Sequence, residues 1–202
     1  VLFASSNIWT ESGYPDSKIA WYANDGTGLF GPQQVITQAA DGANCVYAAD
    51  LDGDGDIDVL SASKGDDKIA WYANDGKGQF GPQQVITIEA DFAESVYAAD
   101  LDGDGDMDVL SASAGDDKIA WYANDGKGLF GAQQMITTAA DGATCVYAAD
   151  LDGDGDQDVL SAFSVDDKIA WYENTDGQGT FGPQQVITTS ADGAVSVFAA
   201  DI

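Results

Sequence analysis

The chain has 202 residues and a hydrophobic fraction of 45%, so it is long enough and apolar enough to bury a core. Its 35 acidic residues outnumber 7 basic residues, all of them lysines, which gives a formal net charge of -28. This charge argues against nucleic-acid binding, because phosphate recognition needs basic patches. It also argues against an anionic membrane surface, and no apolar run approaches the roughly 18 residues of a membrane span.

The sequence repeats itself with a period of 50 residues. The phrase VYAADLDGDGD occurs three times, and KIAWY occurs four times, starting at residues 18, 68, 118 and 168. A fourth copy of the aspartate phrase begins at Asp201 after one extra residue. A period near 50 is typical of propellers and related repeat folds.

Each repeat is predicted to contain four short strands. In the second repeat these are CVYAAD (45–50), DVLSAS (58–63), KIAWYA (68–73) and QQVIT (83–87). They are rich in β-branched and aromatic residues and are bounded by Gly, Asp and Asn. The intervening NDGKGQFG (74–81) contains an Asp-Gly step that suits a tight turn with positive φ.

Four antiparallel strands per unit predict an all-β fold, a β-propeller of four-stranded blades of about 50 residues with four repeats in this chain. An open β-solenoid is the alternative. In KIAWY, Ile69 and Trp71 face one way and Tyr72 the other, which suits a sheet packed between two neighbours. We expect a single repeat array over 1–202, with blades at approximately 1–44 (completed by 195–202 or by a missing strand), 45–94, 95–144 and 145–194.

The two ends of the chain match successive strands of one repeat. VLFASS at the start corresponds to a second strand, and VSVFAADI (195–202) corresponds to a first strand. Because the chain opens in mid-repeat, we expect it to be processed, excerpted or part of something longer. The ends either complete one blade jointly, as propellers do to protect their edges, or belong to a larger ring.

The aspartate loop predicts a calcium site. DLDGDGDID (50–58) places carboxylates at loop positions 1, 3, 5 and 9, a carbonyl at 7 and a glycine at 6. Calcium takes about 6–8 oxygen ligands, and a +2 ion offsets the repulsion among these carboxylates. We expect one Ca²⁺ per complete loop, three in all, with each loop acting independently. The predicted ligands are Asp50, Asp52, Asp54, Asp56 (through its carbonyl) and Asp58, then Asp100, Asp102, Asp104, Asp106 and Asp108, and then Asp150, Asp152, Asp154, Asp156 and Asp158.

The loop is not an EF-hand. An EF-hand closes with a bidentate Glu at position 12 between two helices, whereas position 12 here is Ser61, Ser111 or Ser161 and the flanks are strands. Magnesium is the alternative ion, although it prefers to keep its waters. A solvated acidic turn without an ion is the alternative interpretation of the motif.

The phrase DLDGDGDIDVL, followed by KIAWYAND and an FG step, resembles the FG-GAP/VCBS repeat family over the whole chain. That family includes the integrin α-subunit propeller and a fungal propeller lectin. The resemblance implies a β-propeller, commonly of seven blades, with calcium in the loop between the first two strands of a blade. It also implies an extracellular or cell-surface location, and a role in adhesion, carbohydrate binding or scaffolding. The truncated fourth loop departs from the family pattern.

Other recurring residues have structural interpretations. The repeated tryptophans and tyrosines could stack on sugars, but core packing between blades is the favoured interpretation. Cys45 and Cys145 take a position where other repeats have serine, which favours small buried side chains too far apart to bridge. The insert within 5–22 carries Trp9 and Tyr14, which we predict to be a partner or glycan contact because long loops on regular scaffolds often carry function.

Three functions fit these observations. No histidine, nucleophile–base set or phosphate loop is present in the sequence, so the chain is expected not to be an enzyme. The first function is a calcium-stabilised structural or adhesion module of an extracellular assembly, whose partners are other protein subunits. The second is a lectin that binds extracellular glycans, and the third is an accessory domain of a secreted hydrolase.

Overall fold

The computed structural model describes residues 1–5 and 17–200, and the regular structure in these residues is entirely β-strand. The strands form four antiparallel sheets, one per repeat; three have four strands and the first has three. Sheet 1 contains β1 (Leu2–Ser5), β2 (Lys18–Trp21) and β3 (Gln34–Thr37). Sheet 2 contains β4 (Ala43–Ala49), β5 (Asp58–Ser63), β6 (Lys68–Tyr72) and β7 (Gln84–Thr87). Sheet 3 contains β8 (Ala93–Ala99), β9 (Asp108–Ser113), β10 (Lys118–Tyr122) and β11 (Gln134–Thr137). Sheet 4 contains β12 (Ala143–Ala149), β13 (Asp158–Phe163), β14 (Lys168–Tyr172) and β15 (Gln185–Thr188).

The predicted strands are confirmed in type and order up to residue 188, but residues 195–200, which the sequence matches to a first strand, form none. The first strand of each complete repeat starts two residues earlier than predicted, because Ala43 pairs with Ser63 across a register shift before Cys45. The predicted turn after the third strand is also confirmed: Asn74 bridges to Phe80, and Gly76 has φ 71°. None of the described residues belongs to a helix with the length and apolar character that a membrane crossing requires.

Sheets pack against one another through the alternating faces of their third strands. In the interface between sheets 2 and 3, Ile69 and Trp71 pack with Val109 and Tyr122. The other two interfaces repeat this arrangement with equivalent residues. Trp71 is 3% exposed and Tyr72, on the opposite face of the same strand, is 1% exposed, so both faces of an inner sheet are buried. The expectation of sheets packed between two neighbours is confirmed.

The first strands of sheets 2, 3 and 4 lie side by side and carry a ladder of aromatic rings. Ring centroids are 4.5 Å apart between Tyr47 and Tyr97, and 4.8 Å apart between Tyr97 and Tyr147. Phe198 continues the ladder at 5.0 Å from Tyr147. Residues 194–200 therefore lie against β12 in the way that β12 lies against β8, although they form no strand. Ile202, on which the question of ring closure depends, lies outside the described residues.

Candidate metal centres

Each aspartate loop is folded around its own first carboxylate. In the loop that joins β4 to β5, Asp50 Oδ1 accepts a hydrogen bond from the Gly53 N–H at 2.8 Å, and Oδ2 accepts one from the Gly55 N–H at 3.0 Å. Gly55 has φ 90°, a conformation that residues with a side chain rarely adopt, so the glycine at position 6 permits the turn. The second and third loops repeat both bonds.

The last aspartate of each loop is buried and held on both oxygens. Asp58 is the first residue of β5 and is 0% exposed. Its Oδ2 accepts a hydrogen bond from the Leu51 N–H at 2.8 Å, and its Oδ1 accepts one from the Asn74 N–H at 2.8 Å. This carboxylate is therefore fixed at the base of the loop before any ion binds.

Three carboxylates of each loop converge. One oxygen from each of Asp50, Asp52 and Asp58 lies within 4.8 Å of the others. Two oxygens bound to one calcium at about 2.3–2.6 Å can be at most about 5 Å apart, so this grouping fits the ion. The equivalent groups are Asp100, Asp102 and Asp108, and Asp150, Asp152 and Asp158.

The other two predicted residues of each loop lie outside these groups. The carboxylate of Asp54 accepts a hydrogen bond from the Asp56 N–H at 2.9 Å. The side chain of Asp56 lies against Gly76 of the hairpin that follows β6. In the third loop, Asp156 Oδ1 is buried without a hydrogen-bond partner, which leaves a polar atom that a cation or water would satisfy.

The surroundings of the loop carboxyl groups disfavour their ionised form. Burial raises the pKa of Asp108 to about 7, and the charges of Asp102 and Asp104 add to the effect. Burial also raises the pKa of Asp52, with a further contribution from the Asp54 charge. A divalent cation would favour the ionised form of these groups, because an opposite charge within a few ångströms stabilises it. The donor chemistry, the spacing and the electrostatics therefore fit a hard cation in all three loops.

A cavity of about 660 Å³ lies where β4 and β8 end, beside the aspartate loops. Its wall includes Tyr97 and the acidic residues Asp50, Asp100 and Asp156. The loop residues Ile57 and Met107, which are 54% and 40% exposed, also line it. The sequence did not predict this cavity, because it arises from the relative positions of three loops.

The prediction of core packing is confirmed for most of the recurring tryptophans and tyrosines, whereas Trp21, Tyr22 and Trp171 are only partly buried. Trp71 meets Phe130 of the next sheet edge to face, with centroids 6.4 Å apart. Tyr72 is 1% exposed, and its hydroxyl accepts a hydrogen bond from Gln83 Nε2 at 2.8 Å. Cys45 and Cys145 are partly buried free thiols, so the prediction that they do not bridge is confirmed. Trp9 and Tyr14 of the insert lie outside the described residues.

The fold and the loops define a class of protein: tandem antiparallel β-sheet repeats, each complete repeat carrying an oxygen-rich loop between its first two strands. The FG-GAP-like repeat model matches residues 7–61, 50–111, 100–161 and 150–202. The chain therefore belongs to the FG-GAP-like repeat family, as its sequence predicted. No curated protein matches the chain.

Solved structures that resemble the chain include a fungal lectin and a bacterial toxin pore. A lectin from Agrocybe aegerita, described by its specific recognition of non-reducing terminal N-acetylglucosamine, is 24% identical with a TM-score of 0.62. The alignment covers 88% of this chain and 48% of the lectin chain, so this chain spans about half of the lectin's length. At this identity the likeness shows the fold alone. The Photorhabdus luminescens Tc holotoxin pore aligns over 93% of this chain and 12% of its own, at 14% identity and a TM-score of 0.36, which supports no argument.

Proposed function

We propose that this chain is a non-catalytic, calcium-binding β-propeller segment that serves as a structural or adhesion module of an extracellular or cell-surface assembly. The observation that carries the proposal is the threefold recurrence of converging carboxylates around a buried aspartate. The alternation of buried faces, which places each inner sheet between two others, supports the propeller arrangement. Membership in the FG-GAP-like repeat family supports both.

The residues of each loop have different roles in the proposed ion site. Asp58 is a fixed ligand at the base of the loop, because two backbone N–H groups hold its carboxylate. Asp50 and Asp52 supply the converging oxygens, and Asp54 and the carbonyl of Asp56 complete the predicted ligand set. Bound calcium supplies a charge that offsets the repulsion within the loop, and so links the first strand of a sheet to the second.

A recurring apolar position on the outer strands supports assembly with other protein subunits. At the same register position, each fourth strand of a repeat, and β3 in the first, carries an apolar residue that is about half exposed. These residues are Val35 at 48%, Val85 at 50%, Met135 at 45% and Val186 at 51%. The same contact is therefore offered once per repeat, which suits a partner that is itself repetitive.

Thermal unfolding with and without calcium tests the proposal. An ion that binds only the folded state stabilises it, by about 2.7 kcal/mol per site when present at 100 times its Kd. We expect the melting temperature to fall on addition of a chelator and to recover with calcium but less with magnesium. The triple variant Asp52→Ala, Asp102→Ala, Asp152→Ala should show no response. A melting temperature that calcium does not change would contradict the proposal.

A glycan-binding function is the second candidate, and the cavity beside the loops favours it. The cavity brings Tyr97 together with carboxylates, and such polar groups can hydrogen-bond a sugar. The buried tryptophans do not serve this role, since Trp71 and Trp121 are 3% and 2% exposed. A glycan array in the presence of calcium separates the two candidates: binding that Tyr97→Ala abolishes would favour the lectin.

A further inference from the structure

Asn124 connects two neighbouring aspartate loops through the backbone of one residue, Leu51. Its side-chain Nδ2 donates to the Leu51 carbonyl at 2.8 Å, and the Leu51 N–H donates to Asp58 Oδ2 at 2.8 Å. The backbone N–H of Asn124 donates to Asp108 Oδ1 at 2.9 Å. A continuous path therefore runs from the buried carboxylate of the first loop to the buried carboxylate of the second.

The same path joins the second loop to the third. Asn174 Nδ2 donates to the Leu101 carbonyl at 2.9 Å, and the Leu101 N–H donates to Asp108 Oδ2 at 2.8 Å. The Asn174 N–H donates to Asp158 Oδ1 at 2.9 Å. The first and second loops therefore each contact the asparagine of the next sheet, and these two loops are not confined to one sheet as the prediction of independent loops assumed.

The path is buried and tightly packed. Asn124 is 5% exposed, Asn174 is 0% exposed and Leu51 is 1% exposed, so water does not compete for these hydrogen bonds. The backbones are also in close contact, since a Cβ built on Gly53 would lie 2.8 Å from the Gly126 carbonyl oxygen. A shift of one loop therefore moves the hairpin of the next sheet.

We propose that Asn124 and Asn174 are positioning residues that couple the metal loops, so that an ion bound in one loop raises the affinity of the adjacent loop. This inference rests on the proposed calcium binding. An ion that fixes the first loop also fixes the Leu51 peptide, and the Leu51 carbonyl in turn fixes the Asn124 side chain. Asn124 then holds Asp108 in the orientation that the second ion needs. The second loop is therefore partly ordered before its ion binds, and binding there costs less conformational entropy.

Charge repulsion between ions acts in the opposite direction and does not depend on the asparagines. A first cation lowers the negative potential at the neighbouring loop, which weakens the second binding event. Salt screens buried charges only weakly, so ionic strength does not remove this opposing effect. The comparison with Asn124→Ala isolates the coupling, because that variant leaves the charges of both loops unchanged.

Calcium titration of loop-deletion variants tests the coupling. Asp152→Ala leaves the loops at 50–58 and 100–108, which Asn124 joins. Asp52→Ala with Asp152→Ala leaves the loop at 100–108 alone. Calorimetry compares two affinities: that of the two-loop variant for its second ion, and that of the single-loop variant for its one ion. We expect the first to be tighter by about 5-fold or more, which is usual for coupled sites.

Two controls separate coupling from general damage. Asp102→Ala leaves the loops at 50–58 and 150–158, which no asparagine joins directly, so these should bind independently. Asn74 occupies the same position as Asn124, but its Nδ2 donates only to the Ile57 carbonyl of its own loop among the described residues. Asn74→Ala should therefore preserve the coupling, whereas Asn124→Ala in the Asp152→Ala background should abolish it.

The outcomes distinguish this inference from the proposed function. If no variant binds calcium, the proposed function fails and the coupling fails with it. If the two-loop and single-loop variants bind with equal affinity, calcium binding stands and the coupling is refuted. Should circular dichroism show that Asn124→Ala does not fold, the comparison of joined loops (50–58 with 100–108) and unjoined loops (50–58 with 150–158) decides the question. Equal affinities in both pairs would overturn the proposal.

Discussion

Gly128 of the third sheet lies directly against the indole of Trp71 in the second. A Cβ built on Gly128 would lie 2.6 Å from Cη2 of Trp71, and φ at this glycine is 76°. Gly78 has the same relationship to Trp21, and Gly179 has it to Trp121. The hairpins that follow β6, β10 and β14 therefore each cover the tryptophan of the preceding sheet, and only glycine allows the two to approach this closely.

Gly128→Ala should destabilise the protein strongly. The added methyl group would displace Trp71 or the hairpin, and the positive φ adds strain, for a combined cost of about 2–4 kcal/mol. Gly28 is the matched control, because it holds the same turn position with φ 93° but has no atom within 4 Å of its Cβ site. Chemical denaturation should show a smaller loss for Gly28→Ala, and equal losses would contradict the packing argument.

Asp102→Ala should have opposite effects on the metal-free and calcium-loaded protein. Burial and the charges of Asp104 and Asp100 raise the pKa of Asp102, so its carboxylate is unfavourable without an ion. Without calcium, we expect this variant to melt at or above the temperature of the unsubstituted protein. With calcium, it should melt below that temperature, because the substitution removes one of the three converging ligands.

Asp91→Ala is the control for net charge in that experiment. Asp91 precedes β8 and Asp100 follows it, so the two acidic sites lie at opposite ends of one strand. Asp91→Ala removes the same charge as Asp102→Ala but leaves the loop intact. If both variants respond to calcium in the same way, the effect arises from overall charge and not from the loop.

The metal-free protein should lose stability as pH rises from about 4 to 7. The pKa of Asp108 is raised from its ordinary value of 3.8 to about 7, chiefly by burial. A carboxyl group with a higher pKa in the folded state binds protons more tightly when folded, so deprotonation in this window costs stability. Calcium should reverse the trend, because it binds the deprotonated loop. Melting temperatures measured against pH, with chelator and with calcium, should diverge above pH 5, and in chelator Asp108→Asn should flatten the slope.

The repeat made much of the fold predictable from sequence. Its period located the strands, and its charge pattern located the loops, since both are local signals that three or four copies reinforce. The path through Asn124 was not predictable, because it joins residues 73 positions apart whose contact depends on how two sheets pack. The only signal in the sequence was an asparagine at the same place in the hairpin of every repeat, and a turn alone explains that residue. The convergence of Asp50, Asp52 and Asp58 without Asp54 also depends on side-chain orientation rather than spacing.

Phe92 stands where the other repeats have glycine, and this difference predicts an effect on stability. The equivalent residues Gly42, Gly142 and Gly193 have φ between 60° and 65°, and Phe92 adopts φ 51° in their place. For a residue with a side chain this left-handed conformation costs about 1–2 kcal/mol. The ring is 48% exposed, and Lys64 Nζ lies 5.5 Å from its centroid, an interaction worth about 0.5–1 kcal/mol at an exposed site.

Phe92→Gly should therefore stabilise the protein by about 0.5–1 kcal/mol, because the relief of backbone strain outweighs the cation–π attraction to Lys64. Phe92→Ala is the control, since it removes the ring and keeps the strained backbone. The glycine variant should unfold at higher denaturant than the parent, and the alanine variant at equal or lower denaturant. Should both variants be less stable than the parent by similar amounts, the ring of Phe92 contributes more through Lys64 than its backbone costs. The exposed ring would then stabilise the protein despite the strain in the backbone of Phe92.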